Sequence, residues 1–240
     1  MKRLSLWILL FAVLSLAFFI GLVFLGIEFP FYPLLSYQDA LDLLFPLLLI
    51  PIYGLLFRYA ARGAPGLVEQ IAFLVLAACW VEGHGMHLAA NSISNLMVRL
   101  SDSGLFVLQG NDLFDLTYLY DEHLGHYLWH AGVLGLVALL IFREWRRPAE
   151  GTTVWWSTIL AGVIYGFTLC LITLEGNTLW LGLPFCLAVT LFGLAWGRKR
   201  LGQQPLLAFF LVSCGVASLL YIGWGLYWGG WPPPCEVGFC

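Results

Sequence analysis

The sequence predicts an all-α, polytopic membrane protein, and three observations predict it. Mean hydropathy is +0.88, and only 10% of the 240 residues are charged. Apolar runs of about 18 or more residues recur along the chain, enough to span a hydrocarbon core roughly 30 Å thick at about 1.5 Å per helical residue. Those runs lack the alternation of barrel strands, and only helices or closed barrels satisfy every backbone polar group in lipid.

Seven spans follow in order. Residues 6–25 come after Lys2 and Arg3; the apolar run is too long for a cleaved secretory signal and no small-residue cleavage site closes it, which predicts a retained helix. Residues 41–57 are shorter and carry Pro46 and Pro51, so a kink is expected. The third span is 67–90 and the fourth 123–142. Between them, residues 91–122 are too polar to span and too apolar for a free linker. They predict an amphipathic cap on the outer interface, with a helical extension of both spans as the alternative. The fifth, sixth and seventh spans are 154–174, 179–196 and 206–228. Tryptophans such as Trp155, Trp224 and Trp231 fall at span ends, as an aromatic belt would. Asp39 and Asp42 are expected as helix-start acids favoured by the dipole.

Orientation comes from the eleven basic residues. Lys2 and Arg3, Arg58 and Arg62, Arg143, Arg146 and Arg147, and Arg198, Lys199 and Arg200 all fall on one side if seven spans alternate, and only Arg99 on the other. The positive-inside rule then places the amino terminus in the cytoplasm and the carboxyl terminus outside, in a bacterial inner or plasma membrane. No long hydrophilic segment, internal repeat or basic patch is present. The expectation is one transmembrane domain over residues 1–240 with no nucleic-acid partner, and the oligomeric state is open.

Of the six cysteines, Cys79, Cys170, Cys186 and Cys214 lie inside spans as small apolar residues. Cys235 and Cys240, in the outer tail, are a disulfide candidate.

All five histidines fall within 47 positions, in Glu82-Gly-His84-Gly-Met-His87 running on to Asn91, and in Asp121-Glu122-His123-Leu-Gly-His126 running on to His130. On an α-helix at about 100° per residue, His84, His87 and Asn91 share about 60° of arc, as do His123, His126 and His130. Glu122 sits about 40° from His126, while Glu82 lies roughly 160° from His84 and Asp121 points away. Both stripes are spaced three then four, so antiparallel spans set His84 level with His130, His87 near His126 and Asn91 level with His123. His84 lies roughly 24 Å above the inner end of its span, so this ladder is near the outer face.

Ionisable groups in spans are costly and mark sites, and neutral imidazole is the commonest metal ligand. The candidate ligands are His84, His87, His123, His126 and His130. Glu122 is the candidate catalytic base, with Asn91, Glu82, Asp121 and Glu175, the last in the outer turn between spans five and six, as supporting or substrate-facing groups. Zn²⁺ with an open position would activate water for hydrolysis. Iron or haem would support redox chemistry instead. A proton relay or a hydrogen-bond ladder would use the same side chains.

Seven spans with the amino terminus inside and the pair His126-x-x-x-His130 beside acidic residues resemble the heptahelical membrane metallohydrolases related to alkaline ceramidase and the adiponectin receptors. The resemblance covers an architecture and one four-residue spacing. The pair lies on the fourth span rather than the last, and no Ser, Asp and His in that family's order can be laid over this chain. Desaturase histidine boxes are more numerous and cytoplasmic, and zinc-uptake transporters need ligands at mid-membrane with an inward exit. The leading expectation is therefore metal-dependent hydrolysis of a lipid or other apolar substrate at an outward-facing site. Iron or haem oxidoreduction is the first alternative and divalent metal transport or sensing the second.

Overall fold

A computed structural model describes residues 2–24, 29–32, 34–148 and 152–238. The described residues are helical throughout, with eight α-helices: α1 Lys2–Phe24, α2 Tyr37–Tyr59, α3 Leu67–Asp102, α4 Asp112–Tyr118, α5 His126–Arg146, α6 Trp155–Glu175, α7 Leu179–Phe192 and α8 Pro205–Trp228. Six helical stretches are long and apolar enough to cross a membrane, one of them the continuous run Asp112–Arg146. In α1 the apolar portion that qualifies is the shorter Leu4–Ile20.

Local sequence explains the boundaries. Ser36 caps α2: its hydroxyl accepts from the Asp39 amide, and the Asp39 carboxylate accepts from the Ser36 amide in return. This fulfils the helix-start role expected of Asp39. Pro46 and Pro51 are both contained within α2. Pro205 opens α8, where a missing amide is harmless, and Gly229 ends it at φ 68°.

The segment 91–122 departs from expectation. It forms no separate cap: α3 continues as one 36-residue helix to Asp102, and the return strand of the hairpin is helical again from Asp112. The physical reason is that the polar residues of 91–102 keep helical spacing and are good enough helix formers to propagate an existing helix, which needs no new nucleus. Between α4 and α5, residues Leu119–Gly125 wind as a π-helix.

The bundle closes on glycine. A β-carbon on Gly83 would sit 2.3 Å from the Trp129 amide nitrogen, and one on Gly132 2.6 Å from that of Trp80, so α3 and α5 touch backbone to backbone. Gly162 and Gly166 do the same for α6 against α8 at Phe209, Val212 and Ser213. Small residues give this approach in lipid, where helix association rests on packing.

At the end opposite the histidines, Arg143 is fully buried. Its guanidinium donates to the Phe57 carbonyl at 2.9 Å, to the Gly63 carbonyl at 2.8 Å and to the Glu69 carboxylate. The neighbouring Glu144 accepts from the first free amides of α8, Leu206 at 3.1 Å and Leu207 at 2.7 Å. Arg143 thus fastens α2, α3 and α5 together, besides counting toward orientation. The pairing of Cys235 with Cys240 lies outside the described residues, because Cys240 is not among them.

Candidate metal centre

Three elements bring the site together. α3 supplies His84 and His87, the π-turn and α5 supply Asp121, Glu122, His126 and His130, and α2 supplies Asp42. The close α3–α5 seam at Gly83 fixes their relative depth.

His87 donates from Nδ1 to Asp121 Oδ1 at 2.6 Å, which leaves Nε2 with the lone pair. That Nε2 is 3.9 Å from Asp42 Oδ2. His84 donates from Nε2 to the Asp42 carbonyl at 2.8 Å, and the same nitrogen is 3.1 Å from the Asp42 carboxylate. His130 donates from Nδ1 to the Thr178 hydroxyl, which donates onward to the Thr173 carbonyl at 3.4 Å. His126 Nδ1 lies 3.6 Å from Glu122 Oε2 without a hydrogen bond. The result is a set of imidazoles held from one side, with lone-pair nitrogens left over. His84 Nδ1, His126 Nδ1 and His130 Nε2 are all buried and have no hydrogen-bond partner. Buried polar atoms are rarely left so unless a water or an ion completes them.

One donor atom each from His87, Asp121 and His126 lie within 4.8 Å of one another, a group able to hold a metal ion. The rings of His87 and His126 are 4.3 Å apart between centroids. His84 and His130, expected level with each other, are separated by Trp129, whose ring lies 4.4 Å from the first and 4.9 Å from the second. The rung expected between Asn91 and His123 is absent. Asn91 accepts from Asn95 at 3.2 Å, and His123 is exposed with its ring against Tyr118. Glu82 is exposed on the far face of α3 and takes no part.

Asp121 is a correction. A uniform α-wheel turns it away from His126, but the π-winding of 119–125 brings residues five apart onto one face, so Asp121 is buried beside His87 and His126. Asp42 is a second one. Expected as a dipole acid, it is 4% exposed and serves the histidines. A signal for it was present: Asp42 is the sixth residue of α2, past the first turn over which the dipole acts.

The donors face a cavity of about 260 Å³ lined by Gln38, Asp42, Phe45, His87, Asn91, Glu122, His126, Trp129, Ile172 and Glu175. Beneath it, sharing Phe45, Trp129 and Ile172, lies a smaller and nearly apolar chamber of about 30 Å³ that also meets His130. The turn above is tight: Asn177 adopts φ 50°, and a β-carbon on Gly176 would come within 2.7 Å of His130 Cε1. Glu175 accepts from the Cys235 amide at 3.2 Å, so the carboxyl-terminal tail forms part of the cavity wall.

No family model, curated protein or solved structure matches the chain. The chemistry of the site therefore carries the functional reading.

Proposed function

We propose that this protein is a membrane metalloenzyme that hydrolyses a lipid or other apolar substrate, with His87, Asp121 and His126 as ligands. The single observation that supports it most is that this donor group opens on the same cavity as Glu122, which is close to His126 yet only partly buried. Two imidazoles and a carboxylate leave an ion with open positions, as in hydrolytic zinc sites. A divalent ion supplies Lewis acidity there, acidifying water and polarising a carbonyl.

The side chains divide the remaining work. Glu122 takes the proton from the attacking water and returns it to the leaving group. Asp42 and Thr178 hold His84 and His130 at fixed tautomers. Phe45, Trp129 and Ile172 receive the apolar part of the substrate and exclude water from the floor of the cavity. The interior below, with Leu136, Val137 and Leu140 buried, favours an enzyme over a transport path. In this reading α1 completes seven spans, the amino terminus is cytoplasmic, and the site faces outside.

One second reading has an observation behind it. Two histidines and one carboxylate are also the set that holds non-haem Fe(II) in oxygenases. A porphyrin has no room between rings whose centroids are 4.3 Å apart.

Elemental analysis and a visible spectrum of the purified protein separate the two: colourless zinc protein supports hydrolysis, and iron supports redox chemistry. On a substrate found by screening lipid amides, esters and ethers, Glu122→Gln should keep its metal while turnover falls about two to four orders of magnitude. His126→Ala should lower metal occupancy itself. Metal-loaded protein that converts nothing in that screen, while proteoliposomes containing it move divalent ions, would show the enzyme reading to be wrong.

A further inference from the structure

α3 carries the site on one face, yet it is the least covered of the six apolar stretches: only 22% of its apolar window is buried. Its outer face is a stripe about 60° wide formed by Val75, Ala78, Glu82, Gly85 and Ala89, all exposed. Most of this is ordinary for a lipid-facing helix. Glu82 is not. It lies fifteen residues past Leu67, roughly 22 Å along a helix that crosses a core roughly 30 Å thick. No hydrogen bond or ion pair reaches it among the described residues.

A carboxylate facing hydrocarbon is strongly disfavoured, and intramembrane ionisable side chains turn inward or find partners. Inward is closed to Glu82: it is roughly 160° around the helix from His84, and the opposite face is sealed against α5 at Gly83. A partner must therefore come from outside the protomer. The residues flanking Glu82 on its stripe say what fits. Ala78, Gly85 and Ala89 are small, and a β-carbon on Gly85 would meet nothing within 4 Å. A second helix can come close enough for side-chain hydrogen bonds across such a surface.

We propose that this face of α3 is a homodimer interface, in which Glu82 of one protomer hydrogen-bonds Glu82 of a second copy across a two-fold axis along the membrane normal. The axis makes parallel α3 helices meet residue for residue, so the small positions oppose each other and each carboxyl group finds a carboxyl partner at its own depth. A shared proton between the two groups leaves neither carboxyl unsatisfied. A different protein would have to match both the spacing of small residues and the depth of the acid, which a second copy does by symmetry. The metal centres lie on the far face of each α3 and remain separate.

The test uses full-length protein in liposomes. Copper-phenanthroline oxidation should give disulfide-linked dimers with Ala78→Cys and Gly85→Cys beyond the wild-type background, and none beyond it with Leu219→Cys, on an exposed face of α8. Fluorescence transfer between labelled protomers in a lipid-dilution series should show Glu82→Leu lowering association about tenfold, the reach of an interhelical hydrogen bond. Glu82→Gln, which can pair through its amide, should restore association. Protein that stays monomeric at high protein-to-lipid ratio, or cross-links no better at 78 and 85 than at 219, overturns the interface. Association undiminished in Glu82→Leu overturns the role of Glu82. A hetero-oligomer that protects Glu82 from a lipid-soluble carbodiimide, with no self-association, would assign the face to another partner and also overturn the proposal.

Discussion

Asp42 shows how one residue can belong to two helices' chemistry. It sits in α2, yet its carbonyl and carboxylate meet His84, and its second oxygen lies 3.9 Å from His87 on the same neighbouring helix. Partners of this kind orient imidazole ligands and raise their basicity, and losing one costs about 10- to 100-fold in metal affinity. Asp42→Asn is therefore expected to weaken metal binding by about that factor with helix content unchanged, measured by competition with a chromophoric chelator. His123→Ala should bind as wild type, since His123 is exposed against Tyr118. Equal affinity in Asp42→Asn would remove Asp42 from the site. At this scale the histidines were legible, because three-then-four spacing on an apolar helix is a strong pattern. Asp42 was hidden because a helix-start acid and a buried partner look alike in one dimension.

At the scale of the element, the π-turn Leu119–Gly125 decides which carboxylate serves the site. It shifts Asp121 onto the face of His126 while leaving His126 and His130 one α-turn apart. Deleting Tyr120 should let the segment relax to α-winding, which returns Asp121 to the far side of the helix. Metal affinity is then expected to fall at least about tenfold while circular dichroism is unchanged, and wild-type affinity in the deletion variant would refute the role of the turn. No composition or periodicity signals one extra residue in a helix. The close approach of Gly125 to Gly83 and His87 is what accommodates it, with a β-carbon on Gly125 only 2.7 Å from the Tyr120 carbonyl oxygen and 3.0 Å from the His87 amide nitrogen. The same limit applies to α3. Its apolar stretch was read as ending near residue 90, whereas the helix runs to Asp102, because helical backbone continues past the point where hydropathy falls.

For the whole molecule, the charges and the bundle tell one story. Arg58, Arg62, Arg143, Arg146 and Arg147 gather at the end where Arg143 joins α2, α3 and α5, and the histidines lie at the other end. The orientation proposed from this asymmetry predicts that a cysteine at position 63 reacts with an impermeant maleimide only from the cytoplasmic side, and one at 103 or 177 only from outside. Labelling of position 103 from the cytoplasm would invert the protein and turn the site inward.

The sequence by itself determined the membrane class, the helical segments and the two stretches that hold the site, because hydropathy and spacing within a turn are local properties. Only the tertiary structure decided which groups meet. It set Trp129 between His84 and His130, left His123 and Glu82 outside, and brought Asp42, forty-two positions away, against His84. The physical reason is rotation: each residue turns a helix by about 100°, so a single-residue change in winding or register exchanges the group that faces the cavity for one that faces lipid.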